Sequence, residues 1–300
     1  MTNWILTLVA PADQVLTEKH IEQAVDHLPS SIIVDWLAPD RAADLRFESP
    51  SLTKADTKDI ETDLLREFGN IDIAIQPDIA TRRKKLLVAD MDSTMIQLES
   101  LDYLAELLGF GNEVTEITNR GMRGELDFET SLKSRVSLLA NQPTYAMATV
   151  LQNIPYTDGA EICVKTMRDN GCYCALVSGG FTFTTDVVAP KLGFHEARAN
   201  RFEIIDGNLT GKVIEPILAR DSKQKTMEEL CKKFNLTSEE VCCIGDGAND
   251  LDMIRAAGMG VGYHGKPIVQ EEAAFNIRFG DMTTLLFYQG YSLEEFTNIG

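Results

Sequence analysis

Short apolar runs and helical stripes alternate along the first 80 residues. "WILTLVAP", "SIIVDWLAP", "ADLRFES" and "IDIAIQ" are strand-length runs, rich in β-branched and aromatic side chains. Between them, "TEKHIEQAVDHL" and "TKADTKDIETDLLREFG" space their apolar residues as helices that bury one face do. The order βαββαβ predicts a small α+β, ferredoxin-like sheet with two helices on one face. No catalytic cluster stands out in it, and His20 and His27 read as ordinary helix-face residues. The basic stretch "TRRKK" at 81–85 separates this pattern from the next and reads as a linker. It sets a first domain at 1–80, expected to be dispensable for chemistry, and a second at 81–300.

From Leu86 the pattern changes to strands alternating with helices. "LLVADMD" is a strand, and about 98–153 is mainly helical. Then come helix "EICVKTMRDNG", strand "CYCALVSGG" and helix "TFTTDVVAPKLG". "RFEIIDGNLTGKVI" predicts a hairpin turning at Asp206-Gly207-Asn208. Helix "SKQKTMEELCKKFN", strand "EVCCIGD", helix "NDLDMIRAAG", strand "MGVGYH" and helix "PIVQEEAAF" follow. Such alternation implies a Rossmann-like, doubly wound parallel α/β sheet, which binds ligands at the carboxyl ends of its strands. The helical insert after the first strand would cap that edge.

Three polar clusters follow three of these strands: Asp90-x-Asp92, Ser178-Gly179-Gly180, and "GDGAND" from Gly245 to Asp250. Singly, each is ordinary. An Asp-x-Asp pair is often a solvated turn, and "GDGAND" lacks the glutamate that would complete an EF-hand loop. Jointly they converge on one crevice. Carboxylates without Cys or His partners favour a hard, oxygen-seeking cation such as Mg²⁺, with Asp90 and Asp246 as side-chain ligands. The Ser178 hydroxyl and the N–H groups at Ser178-Gly179 suit phosphate oxygens. A lysine of "DSKQK", Lys223 or Lys225, adds positive charge. Phosphoryl transfer needs these parts, because positioning and charge neutralisation supply most of its catalysis.

Charge narrows the partners. A formal net charge of −18 argues against a nucleic-acid binder, which would show a basic stripe. It leaves a locally basic anion pocket open. No apolar run reaches the ~18 residues of a membrane span. "MTNWILTLVAPAD" has no basic leader and meets Asp13 early for a signal peptide. Of the six cysteines, Cys172, Cys174, Cys242 and Cys243 fall in apolar strand runs, without metal-binding spacings. The expectation is a reduced, cytoplasmic protein.

"DMDST", "SGG", the downstream lysine and "GDGAND" resemble, in order, the motifs of the haloacid dehalogenase superfamily of phosphatases. More narrowly, "GELDFETSLKSRVSLL", "VSGGFT", "ANRFEIIDGNLTG" and "GDGANDLDMI" resemble its phosphoserine phosphatase family over roughly residues 84–290. Residues 1–80 resemble the ACT-type regulatory domain at the front of some bacterial members, on element order alone.

The resemblance implies a Mg²⁺-dependent hydrolysis of O-phospho-L-serine through an aspartyl phosphate, the last step of serine biosynthesis. It implies Asp90 as nucleophile, and Asp92 as general acid–base whose backbone carbonyl also ligates the metal. It implies phosphate binding by Ser178, Gly179, Lys223 and Asn249; family spacing selects Lys223 over Lys225. Asp246 would complete the metal ligands, and Asp250 would support them. In the cap, Glu99 matches an ammonium ligand and Arg135 a carboxylate clamp, while Met122 and Phe128 match apolar residues that close over substrate. A homodimer and an amino-acid effector at residues 1–80 are further expectations. Competing readings are a sister phosphatase or phosphotransferase acting on another small phosphorylated amino acid or alcohol, a silent metabolite-binding module, and a transport-ATPase fragment. Retention of both Asp90 and Asp92 speaks against the last two.

Overall fold

In the computed structural model, which describes residues 2–29, 31–50, 52–122 and 125–298, the alternation along the chain resolves into two sheets. The amino-terminal one comprises β1 (Thr2–Val9), β2 (Ile33–Ala38), β3 (Ala42–Ser49) and β4 (Asp72–Pro77), antiparallel in the order β2-β3-β1-β4. Helices α1 (Glu18–Asp26) and α2 (Lys54–Phe68) start where Thr17 and Thr53 accept the backbone N–H groups of His20 and Asp56. Gly69, left-handed at φ 76°, ends α2. Leu6, Leu8, Leu45 and Phe47 pack with Ala24 and Leu64 in a core of their own.

The second sheet is built from β5 (Leu86–Ala89), β6 (Tyr173–Phe181), β7 (Glu196–Ile205), β8 (Asn208–Ile214), β9 (Val241–Gly245), β10 (Met259–Tyr263) and β11 (Phe275–Ile277). Their order is β11-β10-β9-β5-β6-β7-β8, parallel except for the β7–β8 hairpin. Asp206 (φ 48°) and Gly207 (φ 76°) make that hairpin's turn, both left-handed as a primed two-residue turn requires. Alternate β5 residues point into different cores: Leu87 and Ala89 into one, Leu86 and Val88 into the other. Helices α7 (Ala160–Asp169), α8 (Thr182–Leu192) and α12 (Thr284–Tyr288) supply the first core. Helices α9 (Ser222–Phe234), α10 (Leu251–Ala256) and α11 (Pro267–Glu272) supply the second. This is the doubly wound arrangement the alternation implied. The sequence pattern anticipated neither the three-residue β11 nor α12.

Between β5 and α7 stand α3 (Ser100–Leu107), α4 (Gly111–Met122), α5 (Phe128–Ser137) and α6 (Tyr145–Gln152). They pack around Leu101, Leu104, Val114, Leu132 and Val136, and so form a cap with its own apolar core. Strand β5 sits at the centre of the sheet with β9 and β6 as its neighbours. The three polar clusters therefore emerge side by side beneath that cap.

The two sheets do not hang on a solvated tether. Val9, Ala38, Ala42 and Ala74 share a core with Met282, Leu285, Leu286 and Phe287. Arg82, in the basic stretch read as a linker, is 8% exposed and meets both carboxylate oxygens of Asp44 at 2.6 and 2.8 Å. It also donates to Thr7 Oγ1 and to the carbonyls of Phe287 and Tyr288. Lys84 is buried too, its ammonium on the Glu239 carbonyl. Basic residues behave this way only where the partners for every charge are built in.

All six cysteines are free, and every one but Cys231 is buried. No helix among the described residues is long and apolar enough to cross a membrane.

Candidate active site

Strand β5 is buried along its whole length and delivers Asp90 to its carboxyl end, 4% exposed. Carboxylate oxygens of Asp90, Asp246 and Asp250 lie within 4.8 Å of one another. Asp246 leaves the neighbouring strand β9, and Asp250 folds back beside it from the short helical turn at 248–250. Gly245 lets this happen, because a Cβ there would occupy the space of the Asp250 carboxylate.

Two lysines face this cluster. Lys223, buried in the first turn of α9, reaches Asp90 Oδ1 at 2.6 Å and also pairs with Asp250. Lys266 lies 3.3 Å from Asp246 and half-exposed. The acids still outweigh their partners. Burial, and then the charges of Asp250 and Asp246, push the Asp90 carboxyl well above its ordinary range against the pull of Lys223. Burial opposes the Lys223 charge, yet Asp250 and Asp90 outweigh it and push its pKa up. Lys225 instead pairs with Asp221 on the exposed face of α9.

Asp92 stands apart from the cluster. Its Oδ2 accepts from Ser100 Oγ at 3.0 Å, while Oδ1 is sealed from solvent and has no partner among the described residues. Burial first, then the charge of Glu99, raises its pKa to about 8, although Ser100 works the other way. Burial and Glu99 thus both favour its acid form. Gly180 passes close by; a Cβ there would stand 3.1 Å from Asp92 Oδ2 and 3.0 Å from Ser178 Oγ. Asn200, buried on β7, holds this turn by donating to the Gly179 carbonyl and accepting from the Leu218 N–H.

One cavity of about 520 Å³ joins Asp90, Asp92 and Asp246 to Ser178, Gly179 and Asn249. The same cavity extends to Glu99 and Arg135 in the cap, with Phe128 on its wall. Glu99 is held by the Ser93 hydroxyl at 2.9 Å. Arg135 rests on Asp102 at 3.4 Å, and its buried Nε has no partner among the described residues. Met122 ends α4, but its side chain lies outside the described residues.

Four participants carried no local signal in the sequence: Ser100, Asp102, Lys266 and Arg220. The last lines the cavity and pairs with Asp252 at 3.1 Å. Each acquires its place through a partner, not through a motif. The cavity offers the Asp90 carboxyl group with a second carboxyl, Asp92, beside it, and a polar recess that would hold a cation; the buried Lys223 ammonium backs Asp90.

The family model of haloacid dehalogenase-like hydrolases matches residues 84–258. A phosphoserine phosphatase of Haemophilus influenzae is 40% identical over 230 residues, covering 77% of this chain and 71% of that protein. One from Saccharomyces cerevisiae is 32% identical over 308 residues and is matched over 99% of both chains. In other relatives the match spans about three fifths of the protein. Among solved structures, a phospho-aspartyl intermediate analogue of phosphoserine phosphatase aligns with a TM-score of 0.64 at 37% identity, covering 69% of this chain and 99% of that one.

Proposed function

Because the chain belongs to the phosphoserine phosphatases among the haloacid dehalogenase-like hydrolases, we propose that it hydrolyses O-phospho-L-serine with the residues gathered under its cap. One observation carries this reading: a single cavity runs from the Asp90 carboxylate to Glu99 and Arg135. Phosphoserine needs a nucleophile at one end, and an anion and a cation for its ammonium and carboxylate at the other.

Asp90 attacks phosphorus with a carboxylate oxygen, and the bond from phosphorus to the serine oxygen breaks. The neutral Asp92 carboxyl gives its proton to that departing oxygen. As a carboxylate it then takes a proton from water, which attacks the aspartyl phosphate and restores Asp90. Lys223, Ser178, Asn249 and the Gly179 N–H hold the phosphate oxygens. Glu99 takes the substrate ammonium, and the Arg135 fork takes its carboxylate. Phe128 closes the apolar side and excludes water, a role Met122 shares in the same reading.

The carboxylate cluster fits a divalent cation. Its acids exceed the ammonium groups facing them, and their oxygens are close enough to share one ion. Asp90, Asp246 and the Asp92 carbonyl would hold Mg²⁺; Asp250, engaged by Lys223 and the Gly247 N–H, would orient them. When bound, such an ion supplies positive charge to the phosphoryl oxygens.

We place the domain boundary at residue 80, with the cap at about 98–153 of the phosphatase domain. An ACT-like role for residues 1–80, an amino-acid effector there, pairing of two copies and a cytoplasmic place in serine biosynthesis complete the proposal. They rest on the resemblance and on the ferredoxin-like strand order.

Substrate identity is tested with phosphoserine against an aryl phosphate, which offers neither ammonium nor carboxylate. Arg135→Lys keeps the charge but loses the bidentate fork, and Glu99→Gln removes the counter-charge. Losing one partner of a desolvated pair costs about 2–5 kcal/mol, so the ratio of kcat/KM values should fall by roughly 30-fold or more in each variant. An unchanged ratio in both would leave a phosphatase with another natural substrate.

A further inference from the structure

Asp72, the first residue of β4, is a fully buried carboxylate that the chemistry does not use. It accepts the backbone N–H groups of three successive residues: Arg278 at 2.7 Å, Phe279 at 3.2 Å and Gly280 at 2.7 Å. These belong to the chain leaving β11, so an acid of the amino-terminal sheet pins the edge of the catalytic sheet. Three consecutive N–H groups aimed at one carboxylate make an anion nest, strong and directional in a buried site.

The pinned turn passes its position on. Its Gly280 carbonyl lies 2.9 Å from His264 Nε2, and a carbonyl only accepts, so that nitrogen carries the proton. His264 follows β10 and extends its parallel pairing, donating its own N–H to the Ile277 carbonyl at 2.8 Å. Its backbone is left-handed at φ 43°, a conformation uncommon for any residue with a side chain. Two residues on, the Lys266 N–H donates to the Asp246 carbonyl at 2.9 Å, and its ammonium reaches the Asp246 carboxylate at 3.3 Å. A continuous set of contacts thus runs from Asp72 through the 278–280 turn and His264 to an acid of the cluster.

We propose that His264 and Asp72 are positioning residues for Asp246: the amino-terminal sheet, through them, sets the aim of one carboxylate of the cation site. This rests on the Mg²⁺ reading given above. A strained turn beside a site persists where its surroundings hold it, and here the imidazole and the pinned turn do so. His264 itself is exposed, so its removal leaves the core intact.

The test is calorimetric titration of the full-length protein with Mg²⁺, without substrate, alongside its melting temperature. Partners that orient metal ligands typically contribute about 10- to 100-fold in metal affinity, and His264→Ala should weaken Mg²⁺ binding by ~10-fold. His264→Gln, which keeps an N–H donor, should restore most of the affinity. His264→Gly relaxes the backbone yet lacks the donor, so it should bind as weakly as the alanine variant. Asp72→Asn should also weaken Mg²⁺ binding, beyond any loss of stability. Gln76→Leu provides the comparison, because Gln76 donates to the Tyr288 carbonyl across the same interface, away from this path. It should lower the melting temperature and leave Mg²⁺ affinity unchanged. Wild-type affinity in both His264→Ala and Asp72→Asn would overturn the proposal while leaving the cation reading intact. Absence of Mg²⁺ binding in the wild-type protein would instead remove the cation reading, and this inference with it.

Discussion

Two clusters of buried charge, Arg82–Asp44 between the sheets and Asp90–Lys223–Asp250 at the end of β5, are balanced in opposite ways. Around Arg82 every charge is answered. Both Asp44 oxygens accept, and the guanidinium also reaches a hydroxyl and two carbonyls. At the end of β5 a single buried ammonium is divided between two carboxylates, and Asp246 stands close by with, among the described residues, only the half-exposed Lys266. Burying an unanswered charge is costly, so a surplus of one sign marks a place kept for a ligand of the other sign. The satisfied cluster holds the molecule together. The unsatisfied one is where its chemistry belongs.

The sharpest way to break this comparison is to neutralise one acid in each cluster. Asp90→Asn should abolish turnover and prevent formation of a covalent phosphoenzyme, seen by mass spectrometry after acid quenching. Its melting temperature should match or exceed that of the wild type, since it relieves repulsion and Lys223 keeps Asp250. Asp44→Asn should do the reverse. Breaking a buried pair by removing one partner costs about 3–5 kcal/mol, readable in urea unfolding, while the protein that remains folded should keep its kcat. Substantial phosphatase activity in purified Asp90→Asn protein would sink the assignment of the nucleophile.

Removing the amino-terminal sheet tests the satisfied cluster more drastically. The absence of a catalytic cluster from residues 1–80 suggests that they can be spared. The structure argues otherwise. A chain beginning at Arg82 would expose the side of the core that Val9, Ala38, Ala42 and Ala74 cover, and would leave the guanidinium without Asp44. We expect it to aggregate or to melt far below the full chain, as light scattering and calorimetry would reveal. A stable, monomeric and fully active truncation would show that the interface contributes little.

Within the catalytic site the effects should be graded. Asp92→Asn keeps the shape and loses the proton, so turnover should fall by roughly 10²–10⁴, the usual range for a general acid–base group. A loss as complete as that of Asp90→Asn would mean that the two aspartates do not have separate roles.

The contrast also explains what the sequence could disclose. Leu86-Leu87-Val88-Ala89 followed by Asp90 is a local signal: a strand too apolar to be exposed, ending in a charge. "SGG" and "GDGAND" behave alike, and parallel-sheet topology brings their strands beside β5. The Arg82 cluster has no such signature. Four basic residues in five normally describe a solvated stretch, and Asp44 lies 38 positions away. Ser100, Asp102 and Lys266 look like ordinary helix and loop residues until folding sets them against Asp92, Arg135 and Asp246. Strand β11 is too short to show a period at all.

The smallest expected effect concerns the proton on Asp92. Its acid form is the one able to protonate a departing alkoxide, so activity should fall as pH rises through its pKa, about 8. Burial is the main cause of that value. Glu99 adds to it by repulsion, and the Ser100 hydroxyl opposes it by stabilising the carboxylate. The two neighbours can therefore be removed with opposite results. Glu99→Gln takes away a negative charge, which makes ionisation easier and moves the alkaline limb of kcat/KM to lower pH. Ser100→Ala takes away a donor to the ionised form, which makes ionisation harder and moves the limb to higher pH. A hydrogen bond to a charged group is worth about 1.5–3 kcal/mol and one pKa unit is ~1.4 kcal/mol, so a shift on the order of one unit is expected. An alkyl phosphate without an amino group is the appropriate substrate, because its leaving oxygen needs the proton and it has no ammonium to miss Glu99. Shifts in the same direction for both variants would show that a group other than Asp92 sets the alkaline limb.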